Sequence, residues 1–407
     1  MKCRHCATPL EHVFLNLGFA PPSNDYLTAE DLHAPEHYFP LKIFICDNCW
    51  LAQTEDYSKA NEIFRNDYAY FSSTSSGWLA HSAAYADMIT KRLDLSGESL
   101  VVELASNDGY LLKNFVKSGI PALGIEPTKS TADAAIAIGV PTLMEFFGTE
   151  LASRLANEGK QADLIIGNNV FAHVPDINDF TAGMKTLLKP SGTITLEFPH
   201  FMNLIELCQF DTVYHEHYSY LSLHTVSRVF EQAGLRVFDV EQIPTHGGSL
   251  RVYGCHMDDP RLTTQAVRDL VAEEDRRGMR ALPLYQAFQE RANKVKNDLV
   301  AFLIEQTRAG KKVAAYGAAA KGNTILNYGG VKPDLLPFVC DAAPSKQNKF
   351  MPGSHIPILP PADLLSAKPD FVLILPWNIA AEVEKQMSAV REWGGKFVVA
   401  VPQIRVF

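Results

Sequence analysis

From residue 99 onward, short apolar runs alternate with stretches of helical spacing. SLVVELAS predicts a strand, and NDGYLLKNFVKSG predicts a helix with Leu111, Leu112, Phe115 and Val116 on one face. PALGIEP, PTLMEFF, ADLIIGNNV and TITLEFP predict further strands, with TADAAIAIGV and FTAGMKTLLKPSG as helices between them, the latter stopped at its glycine. After the helix LHTVSRVFEQAGL come RVFDVEQIP and SLRVYGCHM, which suggest an antiparallel edge. Repeated strand–helix units with continuous apolar strands predict a parallel, doubly wound α/β sheet. Residues 261–308 are charge-rich and helix-periodic, and they join this unit to a second, smaller α/β unit. That unit holds KKVAAYG, a helix in AAAKGNTILNYGG, PFVCDAA, FVLILPW, a helix from 379, and KFVVAVP. Ahead of both, residues 1 to about 60 carry only short strand-like runs such as FPLKIFIC. Residues 69–89 begin polar and become amphipathic, as a loop feeding a helix does.

A chain of 407 residues suggests about two to three domains. With 47% hydrophobic and 20% charged residues, it can bury several cores. The net charge of −9 argues against general nucleic-acid binding, which needs a basic face. No long uncharged apolar run predicts a membrane helix, and MKCRHC lacks the apolar core of a secretory signal. The expected compartment is a reducing, bacterial-type cytosol.

In that setting the cysteines become informative. Cys3 and Cys6 form one Cys-x-x-Cys pair, Cys46 and Cys49 another. Two such knuckles complete a tetrahedral thiolate shell with no open position, so the zinc they predict is structural. His5 and His12 are alternative ligands by proximity, although surface histidines are the commoner case. Cys208, Cys255 and Cys340 have no partner motif and read as buried small apolar residues.

The loop leaving the strand VVELASNDG offers Glu103, Ala105, Asn107 and Gly109 at a strand carboxyl end, where doubly wound sheets bind ligands. Glu126 ends the next strand, placed to accept hydrogen bonds from ribose hydroxyls. A dinucleotide fingerprint requires three glycines, and only Gly109 is present. A cofactor without phosphates, S-adenosylmethionine, fits better. The bland alternative is an ordinary strand–loop–helix.

The ordered set ELASNDGYLL, GIEP, IGNNVFAHVPD, YHEHYSYLSL, HGGSLRVY and GAAAKGNTILN, following a four-cysteine module, resembles the nucleotide-sugar C-methyltransferases. That family includes the dTDP-sugar C-3-methyltransferases of antibiotic sugar pathways, and the resemblance covers essentially the whole chain. It implies a zinc-binding domain (1–68), a central class I methyltransferase domain of Rossmann-like fold (69–260), and a helical connection with a nucleotide-sugar-binding α/β domain (261–407). It also places the ELASNDG loop and Glu126 on S-adenosylmethionine, with Asn168 beside the methionine or sulfonium portion. Tyr70 and Ser72 then close over the cofactor or the sugar.

C-methylation next to a ketone needs a base titrating near neutrality, an orienting carboxylate and a hydrogen-bond donor for the enolate. The segment YHEHYSY supplies His, Glu and Tyr. If it is extended, residues 214 and 216 face one way and 215 and 217 the other. The resemblance implies His217 as base, with Tyr214 and Glu216 on the reacting part of the sugar. His173 is a further candidate near the sugar, and His215 reads as structural. A zinc site on His215 and His217, or a merely polar strand end, are the rival readings.

VAAYGAAAKGNTILN predicts a second strand, small-residue loop and helix, whose free N–H groups and dipole suit an anion. Lys321 adds a charge, but the Walker order is missing. The diphosphate of a nucleotide sugar (dTDP, GDP or CDP type) fits there. Asn323 and Thr324 bind it or cap the helix; Asp341, Lys346 and Lys349 follow in the next loop. The segment His246-Gly247-Gly248-Ser249 with Arg251 is another polar loop, and Arg251 can pair with phosphate or with a surface carboxylate. The rival functions are an O- or N-methyltransferase of the same architecture and a non-catalytic nucleotide-sugar-binding scaffold. Oligomeric state is not legible.

Overall fold

The computed structural model describes residues 1–57 and 71–407, so Tyr70 lies outside the described residues. Three sheets follow one another along the chain. The first begins with β1 (His12–Ala20), β2 (Phe39–Ile45) and β3 (Ala52–Thr54), all antiparallel. In β2, Leu41, Ile43 and Ile45 are buried while Lys42 and Phe44 are only partly so, the period-2 signature of a half-buried strand. Phe14 of β1 packs against Phe201, Tyr285 and Phe288, with ring centroids 5.3, 5.7 and 4.6 Å away. This aromatic knot joins the first sheet to both later parts of the chain.

The central sheet contains β4 (Val101–Leu104), β5 (Ala122–Ile125), β6 (Thr142–Leu143), β7 (Ala162–Asn168) and β8 (Leu188–Pro199), running parallel. The next strand, β9 (Ser219–Tyr220), leaves this sheet and pairs with β3 instead. The sheet then ends with β10 (Leu235–Ile243) and β11 (Ser249–His256), in the order β10-β11-β8-β7-β4-β5-β6. β11 is antiparallel to both neighbours, the expected edge reversal. Every residue of β4 is buried, because helices cover both faces.

Two local readings are corrected. The helix Ile177–Leu187 does not stop at the glycine of KPSG; it passes straight into β8 at Leu188. Pro190 explains this, since a residue preceding proline is pushed out of the helical region. A helix at Thr149–Asn157 had no counterpart in the sequence reading, although Leu151, Ala152 and Leu155 are buried along one face of it.

Helices Gln265–Arg276, Leu282–Gln286 and Phe288–Arg308 form the connection. The third sheet has β12 (Val313–Tyr316), β13 (Val339–Cys340), β14 (Ile358–Leu359), β15 (Phe371–Ile374), β16 (Lys396–Val399) and β17 (Arg405–Val406), in the order β14-β13-β12-β15-β16-β17. Only β17 is antiparallel to its neighbour. Among the described residues no helix is long and apolar enough to cross a membrane.

Candidate active site and zinc centre

Each cysteine knuckle folds the same way. The amides of Ala7 and Trp50 close back on the carbonyls of Cys3 and Cys46 at 2.9 Å, with φ of 60° and 62° at the closing residues. All four Sγ atoms lie within 4.8 Å of one another, and the Cys3–Cys49 and Cys6–Cys46 pairs are 3.5 Å apart. A tetrahedral zinc with bonds of about 2.3 Å sets sulfurs about 3.8 Å apart, so the shell fits. Gln53 Nε2 donates to Cys3 Sγ (3.2 Å), as an outer-shell group does. His5 and His12 are not ligands: His5 Nδ1 pairs with Asn178 Oδ1 (2.8 Å), and His12 faces Asp47 (3.5 Å).

The loop after β4 is held open by backbone geometry. Ala105, Asn107 and Gly109 all have positive φ (55°, 49° and 74°). At Gly109 a Cβ would also sit 3.0 Å from Val140 Cγ2, so both strain and crowding require glycine. Glu126 ties this loop to the next: its Oε2 accepts from Asn107 N (2.9 Å), its Oε1 from Thr128 N (2.9 Å) and from the Thr128 hydroxyl. Ser72 and Ser73 lie over the loop, their amides donating to Asn107 Oδ1 (2.9 Å) and Asp108 Oδ2 (3.1 Å).

The electrostatics of this loop favour a cation. Burial drives Glu103 well above the usual carboxylate range, partly offset by the Tyr110 hydroxyl, and the charges of Glu126 and Asp108 push it further up. Asp108 Oδ1 and both polar atoms of the Asn168 side chain are buried without a partner among the described residues. An α-amino group and a sulfonium answer to the acceptors Asp108 Oδ1 and Asn168 Oδ1, and a carboxylate to the donor Asn168 Nδ2, so the residues present fit S-adenosylmethionine.

The segment 214–217 is not extended. His217 N donates to Tyr214 O (3.0 Å), which closes a turn, and only Ser219 and Tyr220 continue as strand. The condition for an alternation of faces is not met, and the turn brings Tyr214 and His217 side by side. The Tyr214 and His217 rings lie with centroids 3.9 Å apart and planes tilted by 35°, and the His173 ring meets His217 edge-on at 4.6 Å. His217 Nδ1 lies 2.8 Å from Thr212 O, a partner that can only accept, so the proton sits on Nδ1 and Nε2 carries the lone pair. Burial holds His217 well below its ordinary pKa, and the nearby His173, Lys321 and His246 act in the same direction. Burial also lowers His173 to about 4. Asn24 of the first domain donates to Glu216 Oε1 (2.7 Å). His215 turns away to Pro40 O (3.2 Å) and packs on Phe39. The two histidines thus point to different partners, and among the described residues the four cysteines form the one group able to hold a metal.

The second loop, Gly317–Ala319, is closed where the first is open. Ala318 N donates to Asp341 Oδ2 (2.7 Å), while Ala318 O accepts from Lys346 Nζ (2.9 Å) and Tyr26 Oη (2.5 Å). Asn323 and Thr324 neither cap the helix Ala320–Gly329 nor face its N-terminus: they donate to Ser23 O (2.6 Å) and Val213 O (2.8 Å), joining the domains. Ser249 donates to Thr245 O (2.9 Å). Arg251, read as a phosphate ligand or a surface pair, does neither. It is buried, its Nε donates to Glu197 Oε1 (2.7 Å) and its Nη1 to Glu241 Oε2 (2.9 Å). His246 reaches Asn169 Nδ2 through Nε2 (3.0 Å) and abuts Trp78, beside the end of β7. Lys321 Nζ donates to Asn378 Oδ1 (2.8 Å) over the Trp377 ring.

Several participants went unread in the sequence. Asn24 and Tyr26 come from a loop of the first domain, and Asp211 and Trp377 from segments without a motif. Asp211 and Trp377 meet through an indole N–H bond of 2.7 Å. Gly247 was noted for close approach, and a Cβ there would lie 2.5 Å from Trp377.

A sheet of this order, with an acidic, cation-seeking loop at the carboxyl end of β4, defines a class I S-adenosylmethionine-dependent methyltransferase fold. Models of a zinc binding domain, a methyltransferase domain and a C-methyltransferase C-terminal domain match residues 3–64, 79–240 and 244–402. The C-methyltransferase NovU of Streptomyces niveus is 33% identical over 405 residues, covering 100% of this chain and 96% of that protein. A ubiquinone biosynthesis O-methyltransferase of Bartonella tribocorum is 29% identical over 93 residues, 23% of this chain and 38% of that one. The S-adenosylmethionine-bound magnesium protoporphyrin IX methyltransferase of Synechocystis PCC 6803 aligns with a TM-score of 0.35 at 13% identity, covering 50% of this chain and 100% of that chain. The chain belongs to the C-methyltransferase family that includes NovU. It is an S-adenosylmethionine-dependent C-methyltransferase with a structural zinc site.

Proposed function

We propose that the acceptor is a nucleotide-linked 4-keto deoxysugar and that the methyl group goes to C-3, the carbon beside the ketone. The cofactor, when bound, supplies an activated methyl group. What this chain adds is a nucleophile. His217 Nε2 takes the proton from C-3, Tyr214 donates to the enolate oxygen, and Glu216, held by Asn24, orients the sugar. His173 walls the base from solvent. Glu103, Asp108, Glu126 and Asn168 hold the cofactor, with Ser72 above them. The first turn of the helix Ala320–Gly329 receives the diphosphate.

The observation that carries this reading is the 2.8 Å contact of His217 Nδ1 with the carbonyl Thr212 O, which can only accept. A neutral, buried imidazole whose Nδ1–H is fixed on Thr212 O presents one basic lone pair at neutral pH. The test is methyl transfer from labelled cofactor to dTDP-, GDP- and CDP-linked 4-keto-6-deoxyhexoses, with the product examined by NMR. A new methyl carbon bonded to C-3 is expected with one of them. His217→Gln should lose at least about 100-fold in kcat while still binding cofactor. A methyl group found on oxygen or nitrogen, or full activity in His217→Gln, refutes the reading.

A further inference from the structure

We propose that Lys321 acts on the reacting ketone, not on the diphosphate: its ammonium stabilises the enolate oxygen formed when His217 removes the C-3 proton. The inference rests on the sugar reading above.

Lys321 lies in the first turn of the helix Ala320–Gly329, one turn before Thr324. Thr324 bonds to Val213 O (2.8 Å), so this face of the helix abuts the segment that leads into the 214–217 turn. The ammonium rests on the Trp377 ring (4.8 Å) and donates one hydrogen bond, to Asn378 Oδ1 (2.8 Å). An ammonium has three donors, which leaves two without an acceptor among the described residues. Asp211 does not take them. Its Oδ2 accepts from the Trp377 indole N–H (2.7 Å), and its buried Oδ1 has no partner among the described residues. Asp211 therefore balances the charge of Lys321 without using its donors.

The charge of Lys321 is felt in the same neighbourhood. It lowers the pKa of both His217 and His246, so it lies close to the base. Lys346, by contrast, sits behind the Gly317–Ala319 loop, bonded to Ala318 O and next to Tyr26. One cation closes the loop and the other looks into the site.

The step balances without a further reagent. The C-3–H bond breaks, its proton goes to His217 Nε2, and its electron pair forms the C-3–C-4 double bond. The carbonyl π pair moves onto the C-4 oxygen, which accepts a hydrogen bond from Lys321. Lys321 keeps its protons throughout. Once a methyl group is bound to C-3, the carbonyl re-forms.

Hydrogen–deuterium exchange at C-3 tests this without the cofactor. The wild-type protein is incubated in heavy water with the 4-keto-6-deoxyhexose nucleotide that it methylates, and NMR follows loss of the C-3 proton. Lys321→Gln should slow exchange at saturating sugar nucleotide by about 100-fold, the usual loss for one oxyanion donor, with dTDP, GDP or CDP affinity within twofold of wild type. Unchanged exchange at saturation, with nucleoside diphosphate affinity down tenfold or more, overturns the inference and makes Lys321 a phosphate ligand. Wild-type protein that neither exchanges nor methylates any sugar nucleotide would instead sink the sugar reading.

Two further variants guard against a misfolded Lys321→Gln. Burial lowers Lys321 to about 8, opposed by Asp211, so exchange should fall above pH 8 as the ammonium is lost. The groups that face it are Asp211, His217 and His246. Lys321→Arg should move that falling limb up by more than one pH unit, and Asp211→Asn should move it down. A limb unmoved in both variants overturns the inference.

Discussion

The two strand-to-helix loops of this protein occupy equivalent places in their sheets and are built in opposite ways. The loop after β4 is lined by carboxylates, and Asp108 within it and Asn168 at the end of β7 keep polar atoms that no described residue satisfies. The loop after β12 uses its amide and carbonyl internally, on Asp341, Lys346 and Tyr26. An unsatisfied buried acceptor costs roughly 1–3 kcal/mol, so the first loop is poised for a ligand that repays that cost. The second has used its own amide and carbonyl, and among the described residues it offers a helix N-terminus, a lysine at its rim and the buried Asn323 Oδ1. Similar topology thus does not imply similar recognition; the charge and the free valences decide.

The largest way to break this comparison is to remove zinc. Tyr26, Asn24 and Ser23 of the first domain contact the second loop, Glu216 and Asn323, whereas Ser72 and Ser73 serve the first loop. Structural zinc supplies apparent binding energies of about 10–16 kcal/mol, more than a domain's usual net stability. Cys46→Ser, or a strong chelator, should therefore abolish methyl transfer while S-adenosylhomocysteine still binds within about threefold. Calorimetry and metal analysis on the same sample check it; loss of cofactor binding in step with zinc would erase the distinction between the loops.

The two halves also answer pH with opposite signs. On the base side, burial lowers His173 and His246 from 6.5 to about 4, and His217 lies well below 6.5. The unfolded chain takes up these protons first, so stability is full above pH 6.5 and falls as pH drops through the folded values near 4. On the cofactor side, Glu103 is raised well above 4.5, so its contribution is full below pH 4.5 and is lost as pH rises through the higher folded value. Denaturant melts across pH should show a loss on each flank. Adding S-adenosylmethionine, whose cationic groups offset Glu103, should restore the alkaline flank and leave the acid flank unchanged.

Glu126 sharpens the comparison from the cofactor side. Glu126→Ala leaves Asn107 N and Thr128 N without their acceptor and removes the predicted ribose contact. Cofactor affinity should fall by about 10–100-fold, with nucleoside diphosphate affinity unchanged. A parallel loss of both would mean that the loops are coupled.

How much of this was legible depended on the range of the interaction. The zinc knuckles, the strand β4 and the Glu126 position follow from local spacing, and each was read from its own motif. The turn at 214–217 is not legible in the spacing, which gives an alternation of faces only on the condition that the stretch is extended. Its partner β9 pairs with β3, more than 160 residues earlier, and periodicity carries no trace of such pairing. Arg251 was read as a phosphate ligand or a surface pair because its neighbours in sequence are glycines and polar residues. Its actual partners, Glu197 and Glu241, reach it across the sheet. Asp211 and Trp377 carried no motif and acquire meaning only where the domains meet. The helix Thr149–Asn157 could have been found from its buried Leu151, Ala152 and Leu155.

The smallest effect is the most discriminating. Asp341→Asn keeps an oxygen for one of the two amides that the carboxylate holds, Ala318 N (2.7 Å) and Ala343 N (2.8 Å), and removes the charge that also faces Lys346 at 3.8 Å. A charge-assisted bond is worth about twice a neutral one, so the change amounts to about 1 kcal/mol in loop stability. Nucleoside diphosphate affinity should weaken by about fivefold, through a helix N-terminus that is less well anchored. Exchange of the C-3 proton at saturation should not change, because His217 and Lys321 have other supports, Thr212 O and Asn378. Titration of the variant with dTDP, GDP and CDP, beside its saturated exchange rate, separates a loop that shapes binding from one that shapes chemistry. A drop in exchange with unaltered affinity would place Asp341 in the reaction, and the second loop would then be as active a partner as the first.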